Sequence, residues 1–103
     1  MLTMRNIVRI KPFKMDETVA LLMKWNDELA DKYGFPKNRI WTGTSGPTNT
    51  LVYESDLEGT EEEQKRAAGM MASPEMQEWV SQLSQLTLSG DIVDSTEILT
   101  RLA

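Results

Sequence analysis

Residues 16–36 read DETVALLMKWNDELADKYGFP, and this stretch carries the clearest structural signal in the chain. Its acidic start favours a helix N-terminus, and Gly34 followed by Pro36 is typical of the point where a helix ends. Apolar side chains recur every three or four residues, which predicts one amphipathic helix of about five turns. The predicted buried stripe consists of Val19, Leu22, Met23, Asn26, Leu29, Ala30 and Tyr33. Trp25 falls off this stripe and is predicted to form a contact surface.

Extended segments flank this helix on both sides. Residues 4–11 contain a short run of β-branched residues that ends at Pro12, and they predict a strand with apolar residues on both faces. Residues 39–44 and 50–55 are rich in Thr, Ile, Trp, Val and Tyr, which favour strands. Between them, residues 45–49 read SGPTN, a concentrated turn signal. The two segments therefore predict a hairpin.

The second half of the chain predicts another helical region in two pieces. Residues 56–60 predict a loop, and residues 61–72 predict the first piece. Ser73 and Pro74 then predict a fresh helix start, as cap and first helical residue, and this second piece continues to Leu88. The predicted apolar contacts of the two pieces are Ala67, Met70, Met71, Met76, Trp79, Val80, Leu83 and Leu86.

A last strand is predicted over residues 92–102, after Gly90 and around Ile98 and Leu99. The element order is then βαββαβ. This order predicts an α+β, ferredoxin-like fold, in which a four-stranded antiparallel sheet carries two helices on one face. A length of 103 residues fits a single domain spanning 1–103.

Composition excludes several classes of chemistry. With 40% hydrophobic and 26% charged residues, the chain is typical of a globular protein. It contains no cysteine and no histidine, which excludes disulfides, thiolate metal sites, a Ser-His-Asp triad and histidine-bound zinc or haem. We therefore expect no metal site and identify no cofactor. No apolar run reaches the roughly 18 residues of a membrane span and the first residues lack signal-peptide features, so we expect a cytoplasmic protein.

The formal net charge of −5 is unevenly distributed along the chain. Residues 1–40 carry a net charge of +3, whereas residues 41–103 carry a net charge of −8. An acidic chain without a basic stripe predicts that neither nucleic acid nor an anionic membrane surface is a partner.

Four short motifs carry a resemblance to a known family. They are KPFKMDE (residues 11–17), LVYES (51–55), KR (65–66) and SPEMQEW (73–79). Through these motifs and the element order, nearly the whole chain resembles the NIPSNAP-like proteins of the dimeric α/β barrel superfamily. The resemblance implies that two copies pair their sheets face to face and form a closed barrel, which makes the protein a homodimer.

The resemblance implies activity less directly than it implies the fold. Relatives include cofactor-independent monooxygenases, haem-degrading enzymes, small-molecule isomerases and proteins without an assigned activity. The haem-degrading relatives place an asparagine on the first strand, as Asn6 does here, but they hold the iron with a histidine of the second helix. Because the chain has no histidine, haem degradation is set aside.

Five residues are candidates for binding a small molecule. Arg39 and Trp41 alternate onto one face of the second strand, and Tyr53 is predicted to reach the same pocket from the third strand. Asn6 is predicted to orient a ligand carbonyl, and Arg66 to face the pocket from a helix. The alternatives are structural roles: core or interface aromatics, an Arg39 paired with a carboxylate, an Asn6 that satisfies the backbone, and a solvated Arg66.

Three functions fit these residues. The first is a homodimer that binds a small, partly apolar metabolite without transforming it. The second is an enzyme of the cofactor-independent monooxygenase or isomerase kind, in which the same residues stabilise a developing anion. The third is a purely structural dimer. The absence of histidine, the commonest general base near neutral pH, favours binding.

Overall fold

The computed structural model describes residues 2–43 and 49–103. Its strands are β1 (Leu2–Arg9), β2 (Arg39–Thr42), β3 (Thr50–Leu57) and β4 (Ser95–Thr100). Its helical segments are α1 (Met15–Lys24), a π-helical turn (Trp25–Leu29), α2 (Ala30–Tyr33), α3 (Glu61–Met71) and α4 (Pro74–Leu86). Most of the predicted turn at residues 45–49 lies outside the described residues, which resume at Asn49. Thr44, the predicted end of the second strand, also lies outside them.

The four strands form one antiparallel sheet in the order β2-β3-β1-β4. With the helical segments between β1 and β2 and between β3 and β4, this is the ferredoxin-like βαββαβ arrangement. The predicted α+β fold is therefore confirmed.

The register of the sheet decides which side chains share a face. Asn6 of β1 pairs with Tyr53 of β3, and both lie on the face that the helices cover. Arg39 of β2 pairs with Glu54, the next residue of β3, and so lies on the opposite face. We call this opposite face the open face; its residues are Thr3, Arg5, Ile7, Arg9, Arg39, Trp41, Thr50, Val52, Glu54, Asp56, Ser95, Glu97 and Leu99.

The first helical region differs from the continuous α-helix that the sequence predicts. α1 continues into the π-helical turn, whose wider hydrogen-bond ring accommodates an extra residue. Trp25 and Asn26 consequently both face the core, each 7% exposed, and the prediction of Trp25 as a contact surface is wrong. Met23, predicted on the buried stripe, is 41% exposed. Gly34 ends the region with a φ of +73°, as predicted.

The two helices after β3 begin where the sequence predicts. Thr60 caps α3, because its Oγ1 accepts a hydrogen bond from the Glu63 backbone N–H at 3.2 Å. Ser73 caps α4 in the same way, with the Met76 backbone N–H at 3.3 Å. α3 is mostly exposed, and its Met71, a predicted apolar contact, is 43% exposed.

Two strand boundaries also differ from the prediction. β3 runs to Leu57 rather than ending before a loop at residue 56, because its last two residues pair with Thr3 and Leu2. β4 is shorter than the predicted span of 92–102, and it is an edge strand whose six residues are all exposed. Pairing with β1, rather than burial of its own side chains, therefore defines β4.

The core lies between the sheet and the helical segments. Its buried members are Val8, Ile10, Leu22, Trp25, Leu29, Ala30, Leu51, Tyr53, Met76, Trp79 and Leu83. β1 and β3 contribute alternate residues to it, because successive side chains of a strand point to opposite faces. In the described part of the chain, no helix is long and apolar enough to cross a membrane.

Candidate functional site

A cavity of about 380 Å³ lies between the helix-covered face of the sheet and the helices. β1 and β3 form its floor, α3 covers it, and the π-helical turn and α4 form its walls. The floor residues are Met4, Asn6, Tyr53, Ser55 and Leu57, and the cover residues are Glu63, Gln64, Ala67, Met70 and Met71. The walls include Trp25, Met76 and Trp79. Most of the lining is aromatic or aliphatic, and the floor contributes three polar residues, Asn6, Tyr53 and Ser55.

Asn6 is one of the polar residues of the floor. Its side chain is buried, and Thr96 Oγ1 donates a hydrogen bond of 2.9 Å to Asn6 Oδ1. Among the described residues, no other hydrogen bond reaches this carboxamide. One end of Asn6 is therefore held by β4, and the other end is free in the cavity.

Tyr53 lies beside Asn6 on the floor, and only 6% of it is exposed. Its hydroxyl donates a hydrogen bond of 2.6 Å to the carbonyl oxygen of Ile92. Burial raises the pKa of the Tyr53 phenol well above its ordinary value. The phenol is therefore protonated near neutral pH, and its hydrogen is already used within the protein.

Two tryptophans pack against each other in the cavity wall. The ring centroids of Trp25 and Trp79 are 6.0 Å apart, with an interplanar angle of 51°. Trp79 Nε1 donates a hydrogen bond of 3.0 Å to the carbonyl oxygen of Leu21, which ties α4 to α1. Trp25 Nε1 is buried and has no acceptor among the described residues. Sequence periodicity placed Trp25 outside the core and so missed it as a cavity residue.

The hydrogen bonds of Asn26 explain why this polar residue interrupts the apolar stripe of the first helical region. Its Nδ2 donates a hydrogen bond of 2.9 Å to the carbonyl oxygen of Asn38, and its Oδ1 accepts one of 2.7 Å from the Asn38 backbone N–H. This two-way bond fixes the segment before β2 against the π-helical turn. Phe35, Pro36 and Asn38 of that segment line the cavity, so Asn26 positions one side of the site without entering it.

Glu63 is the charged residue among the described lining residues. It is 7% exposed, and its two carboxylate oxygens accept hydrogen bonds from the backbone N–H groups of Glu58 and Gly59, at 2.9 and 3.1 Å. Both oxygens are thus engaged in holding the start of α3. Glu63 consequently has a structural role at the edge of the cavity.

Arg66 lies outside the cavity, where α3 meets the segment after α2. Its Nη1 donates a hydrogen bond of 3.2 Å to the carbonyl oxygen of Gly34, and its guanidinium lies 5.4 Å from the centroid of the Phe35 ring. The side chain is 44% exposed. Arg66 therefore joins two segments that border the cavity but does not line it.

Arg39 and Trp41 do not share a pocket with Tyr53, so the prediction of one pocket for these three residues is wrong. Both lie on the open face, where they surround the carboxylate of Glu54 together with Arg5. Glu54 Oε1 accepts hydrogen bonds from Arg39 Nε at 3.0 Å and from Trp41 Nε1 at 3.3 Å. Glu54 Oε2 accepts one of 2.9 Å from Arg5 Nε.

The ion-pair network on the open face continues beyond Glu54. Arg39 also donates two hydrogen bonds to the carboxylate of Asp56, at 3.0 and 3.3 Å, and Thr3 Oγ1 donates another at 3.0 Å. The pairing of Arg39 with a carboxylate, one of the structural alternatives, is confirmed. Hydrogen bonds from Arg5 and Arg39 lower the pKa of Glu54 below its ordinary value.

This lowered pKa predicts a pH dependence of stability. A carboxyl group whose pKa is lower in the folded state stabilises the protein above its unfolded value, here 4.5, and this contribution is lost as the pH falls below it. At pH 7 we expect Glu54→Gln to lower the free energy of unfolding by about 1–2 kcal/mol, because water screens two arginines that are 41% and 44% exposed. Urea denaturation between pH 7 and pH 3 measures both effects.

Glu54→Gln should also lose less stability than the wild type when the pH falls from 5 to 3. Glu62→Gln is the matched control, because Glu62 is exposed and forms no ion pair among the described residues. It should follow the wild-type profile. Identical pH profiles for Glu54→Gln and the wild type would contradict the assignment.

The described residues contain no group of three or more acidic, histidine or cysteine side chains that could hold a metal ion. Asn6 and Tyr53 are thus the sequence-predicted site residues that the fold brings together in the cavity. Arg39 and Trp41 lie on the other face of the sheet, and Arg66 lies at the border of the cavity.

Comparison with known proteins identifies the fold. No family model and no curated protein sequence matches the chain. Among solved structures, the chain is similar to an uncharacterized NIPSNAP domain protein from Burkholderia xenovorans, with 18% sequence identity and a TM-score of 0.71 over 100% of this chain and 96% of that chain. It is also similar to a NIPSNAP family protein from Agrobacterium tumefaciens, with 18% identity and a TM-score of 0.73 over 96% and 90% of the two chains.

A third neighbour is described by its activity. It is an antibiotic biosynthesis monooxygenase, with 14% identity and a TM-score of 0.59 over 100% of this chain and 98% of that chain. The resemblance to NIPSNAP-like proteins that the sequence motifs indicate is thus confirmed at the level of the fold.

Proposed function

We propose that this chain binds a small, partly apolar molecule in the cavity between its sheet and its helices. The observation that carries the proposal is the cavity lining: aromatic and methionine side chains enclose about 380 Å³ above a floor with a few polar groups. Small-molecule sites typically have volumes of about 300–1,000 Å³ and combine apolar walls with a few polar groups. Asn6 and Tyr53 are the ligand-contacting residues of this proposal.

The state of the ionisable groups favours binding over acid–base chemistry. Among the described lining residues, these groups are Tyr53 and Glu63. Burial raises the pKa of Tyr53, and its hydroxyl hydrogen is donated to Ile92. Both oxygens of Glu63 accept backbone hydrogen bonds. The Tyr53 phenol is therefore not available as a general base near neutral pH, and Glu63 is engaged in holding the start of α3.

A monooxygenase- or isomerase-like activity is the second candidate. The fold shared with an antibiotic biosynthesis monooxygenase favours it, and so does Asn6, whose free carboxamide end would stabilise a developing anion. Arg39 and Trp41 would not take part, since they lie on the open face of the same chain. Turnover of a bound compound that disappears in Asn6→Ala, while the compound still binds, would establish the enzyme.

We further propose that two copies of the chain pair through their open faces as a homodimer. Trp41 and Leu99 are 56% and 36% exposed on this face, with Ile7 and Val52 on the strands between them. Pairing would remove this apolar surface from water, and a two-fold symmetric dimer is the commonest assembly. Native mass spectrometry should give 23.4 kDa, twice the 11.7 kDa of one chain. A homodimer with an empty cavity would support the purely structural role.

The cavity proposal predicts that a bulky residue on α3 blocks binding. Ala67 lines the cavity, so Ala67→Trp should fill it with an indole ring. The neutral dye N-phenyl-1-naphthylamine becomes fluorescent in apolar surroundings and serves as the probe. We expect Ala67→Trp to weaken dye binding at least about tenfold, because the indole occupies the space of the dye.

The neighbouring residue provides the matched control. Ala68 is exposed and does not line the cavity, so Ala68→Trp adds the same side chain to the same helix outside the site. It should bind the dye as the wild type does. Equal loss of dye binding in both variants would indicate a general disturbance of α3. Unchanged dye binding in both variants would contradict the cavity as the binding site.

A further inference from the structure

On the basis of the proposed binding function, we infer that the cavity takes an uncharged molecule and holds a hydrogen-bond acceptor of that molecule, such as a carbonyl oxygen, against Asn6 and Ser55. The inference concerns the chemical class and the orientation of the ligand. It follows from which polar groups of the cavity are already satisfied and which are free.

The two unpartnered polar groups of the floor, Asn6 Nδ2 and the Ser55 hydroxyl, are close to each other. Ser55 is 9% exposed, and its hydroxyl makes no hydrogen bond among the described residues. Ser55 pairs with Met4, and Asn6 pairs with Tyr53, which places Asn6 and Ser55 diagonally on adjacent antiparallel strands and on the same face. Diagonal neighbours lie about 7–8 Å apart at the backbone, within reach of one ligand group. Both side chains are therefore available to a ligand that enters the cavity.

The unpartnered groups of the buried lining residues are mostly hydrogen-bond donors. Thr96 donates to Asn6 Oδ1, which leaves the two N–H groups of Asn6 Nδ2 without an acceptor. A third unpaired donor, Trp25 Nε1, is buried within the wall of the same cavity. The Ser55 hydroxyl can also donate. This excess of donors matches a ligand that carries an acceptor oxygen.

The lining residues also select against a charged ligand. The described lining contains no lysine or arginine to pair with an anion, and Arg66 lies outside it. Its one carboxylate, Glu63, repels an anion, whereas the unpartnered N–H groups on the floor present their positive ends and so disfavour a cation. A buried charge without a partner is strongly unfavourable. The cavity therefore suits a neutral molecule.

The remaining surface accommodates the apolar part of the ligand. Met70 and Met71 of α3 and Met76 of α4 line the rest of the cavity. Methionine side chains are flexible and adapt to irregular shapes. The polar end is consequently defined by the rigid sheet, whereas the apolar end contacts an adaptable surface.

Three probes of similar shape and different polarity test the inference: 2-acetylnaphthalene, 2-isopropylnaphthalene and 2-naphthoate. Equilibrium dialysis at pH 7 measures the dissociation constant of each. We expect the ketone to bind about three- to tenfold more tightly than the hydrocarbon, because it gains a hydrogen bond at the floor. The carboxylate should bind at least about tenfold more weakly than the ketone. Equal affinities of ketone and hydrocarbon, or tighter binding of the carboxylate, would overturn the inference.

Two variants test whether Asn6 and Ser55 cause the preference for the ketone. In Asn6→Leu and in Ser55→Ala the preference for the ketone over the hydrocarbon should shrink toward one, while hydrocarbon binding persists. Ser81→Ala, at an exposed position of α4, should keep the wild-type preference. A ketone preference that survives in both floor variants would place the acceptor elsewhere and reject the inference. If none of the probes binds the wild type, the proposed binding function itself fails, which is a distinct result.

Discussion

Replacing Trp79 with alanine is expected to lower the free energy of unfolding by about 3–5 kcal/mol. Trp79 is 6% exposed and packs against Trp25, with 6.0 Å between the ring centroids. It also joins α4 to α1 through its hydrogen bond to Leu21. Truncation would remove a large buried aromatic surface, enlarge the existing cavity and break that link, so that three losses coincide.

Urea denaturation, followed by circular dichroism, measures this effect. Trp79→Phe retains an aromatic ring and loses the indole N–H, so it should cost only about 0.5–1.5 kcal/mol. Leu88→Ala, at a residue that is 53% exposed, should change stability by less than about 0.5 kcal/mol. A cost below about 1 kcal/mol for Trp79→Ala would show that the contact between the two tryptophans does not stabilise the fold.

The order of the elements could be predicted because its signals are local. Gly34 adopts the positive φ that ends the first helical region, and Ser73 caps α4, as their residue types indicate. Thr60 and Glu63 define the start of α3 within four residues of sequence. Such signals depend on neighbouring residues alone, so a single sequence contains them.

The position of Trp25 could not be predicted, because it depends on tertiary structure. A regular α-helix places Trp25 beside the apolar stripe, whereas the π-helical turn brings it into the core with Asn26. Asn26 bonds to Asn38, a residue from another part of the chain, and Trp25 packs against Trp79 of α4. The partners of both residues are thus distant in sequence.

The face on which Arg39 and Trp41 lie could not be predicted for a related reason. A shift of one residue in strand pairing moves every side chain to the other face. The register of β2 against β3 places Arg39 opposite Glu54 and not opposite Tyr53, and the sequence of the intervening segment does not specify that choice. Asn6 stands out in the sequence as a polar residue within an apolar strand, but its partner Thr96 lies 90 residues away.

The homodimer proposal predicts the largest effect on assembly for Trp41→Ala. Trp41 is a large aromatic residue that is 56% exposed in the single chain and lies on the open face beside Val52. Large aromatic residues that become buried at an interface often contribute about 2–4 kcal/mol on truncation. We therefore expect the dimer dissociation constant, measured by sedimentation equilibrium, to rise about 30- to 1,000-fold.

Met23→Ala is the matched control for assembly, because Met23 is 41% exposed but belongs to α1, on the helix-covered side of the sheet. It should leave the dissociation constant unchanged. A wild-type protein that sediments as a monomer at every concentration would contradict the homodimer. It would leave the cavity proposal intact, because one chain encloses the cavity on the opposite face of the sheet. The two proposals are therefore independent. Ligand binding by a monomeric protein would support the cavity proposal and contradict the homodimer.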